Sequence, residues 1–118
     1  MDPEELKIRT KKFALRILNL ADKFPRGLKG RIISNQLARV GTSTAANYRA
    51  ACKARSRAEF IAKLGVAEEE ADEVQFWLEL TCEDNLMPAH LLTELQQEAR
   101  ELTAIFAASR KSASRSGK

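Results

Sequence analysis

The sequence predicts an all-α fold, an antiparallel up-down four-helix bundle, on three observations. Apolar residues recur at three- and four-residue intervals through four separate segments. Ala, Leu, Glu, Lys, Arg and Gln dominate, the side chains that lose least on entering a helix. Only 5 glycines and 3 prolines interrupt the 118 residues, and Val, Ile, Thr and Tyr never gather into the alternating runs of a strand.

The first helix opens at Asp2-Pro3-Glu4-Glu5, an N-cap, a proline at the first helical position and acids facing the positive helix end. Its stripe is Leu6, Phe13, Ile17, Leu20 and Phe24, and Pro25, Gly27 and Gly30 are expected to end it and make the turn. The second helix carries Ile33, Leu37, Val40, Thr44, Tyr48 and Ala51. Its small-residue middle, Gly41 to Asn47, lets a neighbouring helix approach closely. The run from Lys53 to Glu59 breaks the period, and Ser56 with Glu59 forms a capping-box pattern. Phe60, Leu64, Ala67, Ala71, Val74 and Leu78 mark the third helix. Asn85 and Pro88 bracket the next turn, Pro88 suits the opening of the fourth helix, and Leu92, Leu95, Ala99, Leu102 and Phe106 are its stripe.

A chain of this length suits one domain, burying roughly two-thirds of its unfolded surface. Residues 1–109 are the expected bundle, and residues 110–118 read as a basic disordered tail with Ala113 as its only apolar side chain. No stretch approaches the ~20 apolar residues of a membrane span, and the N-terminus lacks the apolar core of a signal peptide. Cys52 and Cys82, with no CxxC pair, read as reduced, packed cysteines of a cytoplasmic protein.

No catalytic, cofactor or metal site is expected. The single His90 sits beside Pro88 near a turn and has no Ser, Cys or Asp partner at a recognisable spacing. Glu68, Glu69, Glu70, Asp72 and Glu73 read as a charged outer face, because a di-metal bundle site needs Glu-x-x-His pairs that this chain cannot form.

Charge is the more informative signal. The net charge of +4 conceals +10 over residues 1–67, −10 over residues 68–109 and +4 over residues 110–118. Arg49, Lys53, Arg55 and Arg57 gather at the turn between helices two and three, and with the basic residues of helix one they are candidates to bind nucleic-acid phosphates. The two charged halves could meet between subunits in a heterologous, ring-closing contact, or pair within one bundle. Phe76, Trp77 and Leu80 lie partly off the core stripe and are candidates for an oligomer interface.

Gln36, Arg39, Ser43 and Asn47, spaced three, four and four, line one side of helix two. They are expected to form a structural polar network with helix three, Arg39 to Glu70 among its links, with a ligand or partner face as the alternative. Together with Arg57-x-Glu59-Phe60, Leu64, Ala67 and Glu70, this run resembles the bacterial four helix bundle protein family, over residues 5–108. That family includes proteins encoded within intervening sequences of 23S rRNA genes. It is similar to the accessory variability determinant proteins of diversity-generating retroelements. The chain departs from the pattern after Asn47, where basic helix replaces an acidic residue and glycine, and at Glu68-Glu69-Glu70.

The resemblance implies a small cytosolic bundle assembled as a homopentameric ring or barrel. Its retroelement relatives bind nucleic acid and a reverse transcriptase through a basic surface. The sequence therefore points to a non-enzymatic oligomeric scaffold or adaptor, the alternative being a nucleic-acid-binding accessory protein.

Overall fold

The computed structural model describes residues 1–115. Four α-helices, α1 (Pro3–Ala21), α2 (Leu28–Cys52), α3 (Arg57–Glu83) and α4 (Thr93–Arg115), are joined by short connections, the last holding a 3-10 turn at Ala89–Leu91. The described residues contain no strand.

Each helix start has a local cause. Asp2 Oδ1 accepts the backbone N–H groups of Glu4 at 2.8 Å and Glu5 at 3.1 Å, with Pro3 at the first position. Ser56 Oγ accepts the Glu59 N–H at 3.0 Å, which starts α3 after the basic break. Gly27, at φ +127°, caps α2 without a side chain.

The helices run alternately up and down. Ile17 of α1 meets Gly41 of α2, Arg39 of α2 reaches Glu73 of α3, and Arg110 of α4 reaches Glu68 of α3. Contact between α1 and α4 is the sparsest of the four neighbouring pairs, and there Arg9 grips Glu98 and Glu101. The core is the set of expected stripes, with Phe13, Ile17, Leu37, Leu64, Leu78 and Phe106 essentially sealed from solvent. Tyr48 stacks on Phe106 with ring centroids 5.6 Å apart. The buried hydroxyls of Thr10, Thr44 and Thr81 donate to the carbonyls of Lys7, Val40 and Trp77 within their own helices.

Three local expectations are corrected. Gly30 lies inside α2, not in the turn; a Cβ there would strike the Pro25 carbonyl, so the residue lets the connection fold back on the helix. Phe24 lies beyond α1 yet still packs on the core. Pro88 precedes the 3-10 turn rather than α4, whose first residue is Thr93, because Leu92 must first turn inward to fill the core.

A fourth difference concerns the tail. Residues 110–115 continue α4 as helix, and residues 116–118 lie outside the described residues. The continuation has a physical anchor: Arg110 Nε donates to Glu68 Oε1 at 2.8 Å, tying this turn to α3. A polar composition signals missing apolar burial, but cannot register a cross-helix ion pair that stabilises one more turn.

Candidate interaction surfaces

The polar seam of α2 exists in altered form. Arg39 donates to Gln36 Oε1 through Nε (3.1 Å) and Nη2 (2.9 Å), and the same Nη2 donates to Glu73 Oε2 at 2.9 Å. Trp77 Nε1 donates to that Glu73 oxygen at 3.0 Å. Arg39 Nη1 stands 3.9 Å from Glu70 Oε2, which makes no hydrogen bond although its side chain is only 17% exposed. The expected Arg39–Glu70 link is thus an ion-pair approach, and the hydrogen bond goes to Glu73, three residues further along the same face of α3. Glu73 was legible only as Glu70 plus three and Trp77 minus four. Asn47 Nδ2 donates to the Ser43 carbonyl at 2.9 Å, so this pair braces α2 itself.

The four clustered basic residues divide in two. Arg49 and Lys53 join Lys7 and Lys11 around a groove of about 440 Å³ between α1 and α2, lined also by Ile8, Ala45 and Ala46. Glu4 occupies its edge and holds Lys7 at 2.8 Å, a contact that keeps the Lys7 ammonium charged beyond its ordinary range. Arg55 and Arg57 stand exposed at the α2–α3 connection. Because α4 runs antiparallel to α3, with Arg110 over Gly65 and Glu68, the turns carrying Lys111 and Arg115 point to this same end of the bundle.

Of the three interface candidates, Trp77 and Leu80 are half-buried against the core and Phe76 protrudes, 49% exposed, edge-on to Trp77. Val66, also exposed, and Glu69 lie on the same outer face of α3, with Asp72, Glu79 and Glu83 exposed around them. A second apolar row was not expected from the sequence: Ile8, Leu15 and Leu18 of α1 are 63%, 56% and 40% exposed. Their spacing of seven and three repeats a helical stripe on the side opposite Phe13 and Ile17, and that second stripe was the available signal.

The intramolecular ion pairs use a restricted set of charges: Lys7–Glu4, Arg9–Glu98 and Glu101, Lys29–Asp84, Arg39–Glu70 and Glu73, and Arg110–Glu68. Among the described residues, Lys11, Arg49 and Lys53 on one face and Glu69, Asp72, Glu79 and Glu83 on the other form no ion pair. Pairing within one bundle therefore absorbs only part of the charge split.

Nothing in these surfaces resembles a built metal site; no group of three His, Cys, Asp or Glu converges among the described residues. His90 is exposed in the 3-10 turn. Cys52 and Cys82 are free thiols near opposite ends of the bundle, one ending α2 and the other near the end of α3. No described helix is long and apolar enough to cross a membrane.

With the bundle and its polar α2–α3 seam established, comparison with known proteins is decisive on kinship. The profile of the 23S rRNA-intervening sequence protein family matches residues 4–108. The chain belongs to this family. A crystal structure of a protein with unknown function from the S23 ribosomal protein family of Bacteroides thetaiotaomicron VPI-5482 superposes with a TM-score of 0.82 at 31% identity. The match covers 94% of this chain and 99% of that one. No match was found among curated proteins. For this member of the intervening-sequence family, kinship thus accounts for the bundle, while function must be argued from its surfaces.

Proposed function

We propose that the chain is a non-enzymatic, self-associating scaffold of the cytoplasm, assembled as a homopentameric ring that presents its remaining surface to a macromolecular partner. The observation that supports this reading is a pair of faces, one basic and one acidic, each carrying large exposed apolar side chains: Ile8, Leu15 and Leu18 on α1, Val66 and Phe76 on α3. Large apolar side chains gathered on one face, rather than scattered singly, mark association surfaces. Sedimentation equilibrium tests it: the expected mass is five times the 13.2 kDa of one chain. A monomer at the highest soluble concentration overturns the reading.

A second reading, nucleic-acid binding, is favoured by one observation, the convergence of Arg55, Arg57, Lys111 and Arg115 at one end of the bundle. RNA and DNA binding measured over a salt series tests it. Affinity should fall steeply with salt, and neutralising Arg55 and Arg57 should flatten that slope by about one unit for each phosphate no longer neutralised. Absence of micromolar binding near physiological salt overturns it.

A further inference from the structure

We infer that the end of α4, residues 109–115, is a latched arm: Glu68 of α3 occupies Arg110 and thereby holds back phosphate binding at the basic end of the bundle. The inference rests on the nucleic-acid reading above and adds its regulation, an autoinhibitory contact built into the fold.

Three observations set this arm apart. The family profile stops at residue 108, so the arm lies beyond the part of the bundle that the family shares. The core stops at Phe106, and none of residues 107–115 is fully buried, so apolar packing does little to hold these turns down. Arg110 reaches α3 instead, its Nε donating to Glu68 Oε1 at 2.8 Å. A Cβ on Gly65 would stand 3.8 Å from Arg110 Cδ, in ordinary contact, so the arginine stem lies across α3 on its way to the carboxylate.

The contact is of an exchangeable kind. Arg9 grips Glu98 through both Nε and Nη2, whereas the Arg110–Glu68 hydrogen bond is made through Nε. The pair is also more open to water, its side chains 34% and 24% exposed against 25% and 17% for Arg9 and Glu98. A phosphate offers the guanidinium two oxygens at once, a better match than a carboxylate held at one point. The arm is basic, with Arg110, Lys111 and Arg115 and no acid. Lys111 and Arg115, exposed and four residues apart on one face, attract the backbone of a nucleic acid. Full engagement of the arm requires Arg110 to leave Glu68, whose own carboxylate also repels phosphate. By linkage, Glu68 lowers the affinity by as much as phosphate binding weakens the latch.

A double-mutant cycle on the full chain tests the inference. Glu68→Gln, Arg110→Gln and the double variant are compared with wild type by fluorescence anisotropy, with a labelled single-stranded RNA of mixed sequence at low salt. Glu68→Gln removes one negative charge in either background, so that general gain cancels in the ratio. Its gain with Arg110 present should exceed its gain in the Arg110→Gln chain by about two- to fivefold, the range of a partly exposed ion pair. DNA of equal length should give the same ratio, because phosphate is engaged rather than sugar or base. A ratio confined to RNA overturns phosphate as the chemistry recognised.

Equal gains in both backgrounds overturn the latch and leave the nucleic-acid reading standing. No binding by any of the four proteins sinks that reading, and the inhibition with it. Both side chains are partly open to water, so the variants should keep the helical circular dichroism of the bundle. Hydrogen exchange without ligand gives a second measurement. The amides of residues 110–115 should exchange faster in Glu68→Gln than in wild type, while those of α2 stay protected. Unchanged exchange across residues 110–115 overturns Glu68 as the tie.

Discussion

Arg9 shows how much one side chain can carry where two helices barely touch. Its guanidinium spans from α1 to α4, donating from Nε and Nη2 to Glu98 and from Nη2 to Glu101, all at 2.7 Å. The Glu98 hydrogen bonds hold Arg9 protonated far beyond its ordinary range. The Gln97 amide, and then Arg9, hold the Glu101 carboxyl below the usual range. Arg9→Lys keeps the charge but loses the fork, so thermal or urea unfolding should show a loss of about 1 kcal/mol, modest because the site is partly open to water. The acid limb follows from the same groups. Glu101 and the N-cap Asp2, which the Glu5 and Glu4 N–H groups hold low, are both depressed in the folded state. Their stabilisation is complete above their unfolded values of about 4 and disappears as pH falls through the folded ones. Asp2→Asn keeps a good N-cap without a titrating group, so its melting temperature should fall less on acidification than that of wild type. An equal fall in both proteins would contradict this assignment.

At the scale of elements, the α1–α2 contact is set by one missing side chain. A Cβ on Gly41 would stand 2.7 Å from Ile17 Cγ2, so the two helices approach as closely as their backbones and Ile17 allow. Gly41→Val should therefore cost about 1–3 kcal/mol in chemical denaturation, with Ile17→Ala in the same chain recovering part of it. Additive losses would show that the contact is not the cause. This close approach was readable in the sequence, because a run from Gly41 to Asn47 has no bulk on any face. The partner was not readable: nothing local in either helix says that Ile17 is the residue opposite. The α2–α3 seam teaches the same lesson. Spacing placed Gln36, Arg39, Ser43 and Asn47 on one side of α2, yet the register of α3 decided that Glu73 receives the Arg39 hydrogen bond.

For the whole molecule, the consequence is a division of its charges into those consumed inside the bundle and those left on two outer faces. If the outer charges join copies, raising salt from about 0.05 to 0.5 M should shift sedimentation toward the monomer, since exposed charges are screened within a Debye length of a few ångströms at the higher strength. An assembly indifferent to salt would place the association in apolar contact alone. Helix number, type and buried stripes followed from residue order, because a 3.6-residue period writes the inner face of each helix into its own segment. So did the N-caps, whose hydrogen bonds span only two or three residues. What packing had to decide was long-range. It set which carboxylates pair with Arg9, Arg39 and Arg110, and it carried α4 through residues 110–115. It also brought Lys7, Ile8 and Lys11 of α1 beside Arg49 and Lys53 of α2 in one groove. A period fixes angles around one helix, but the rotation of one helix against another depends on volumes from both, and no single segment contains that information.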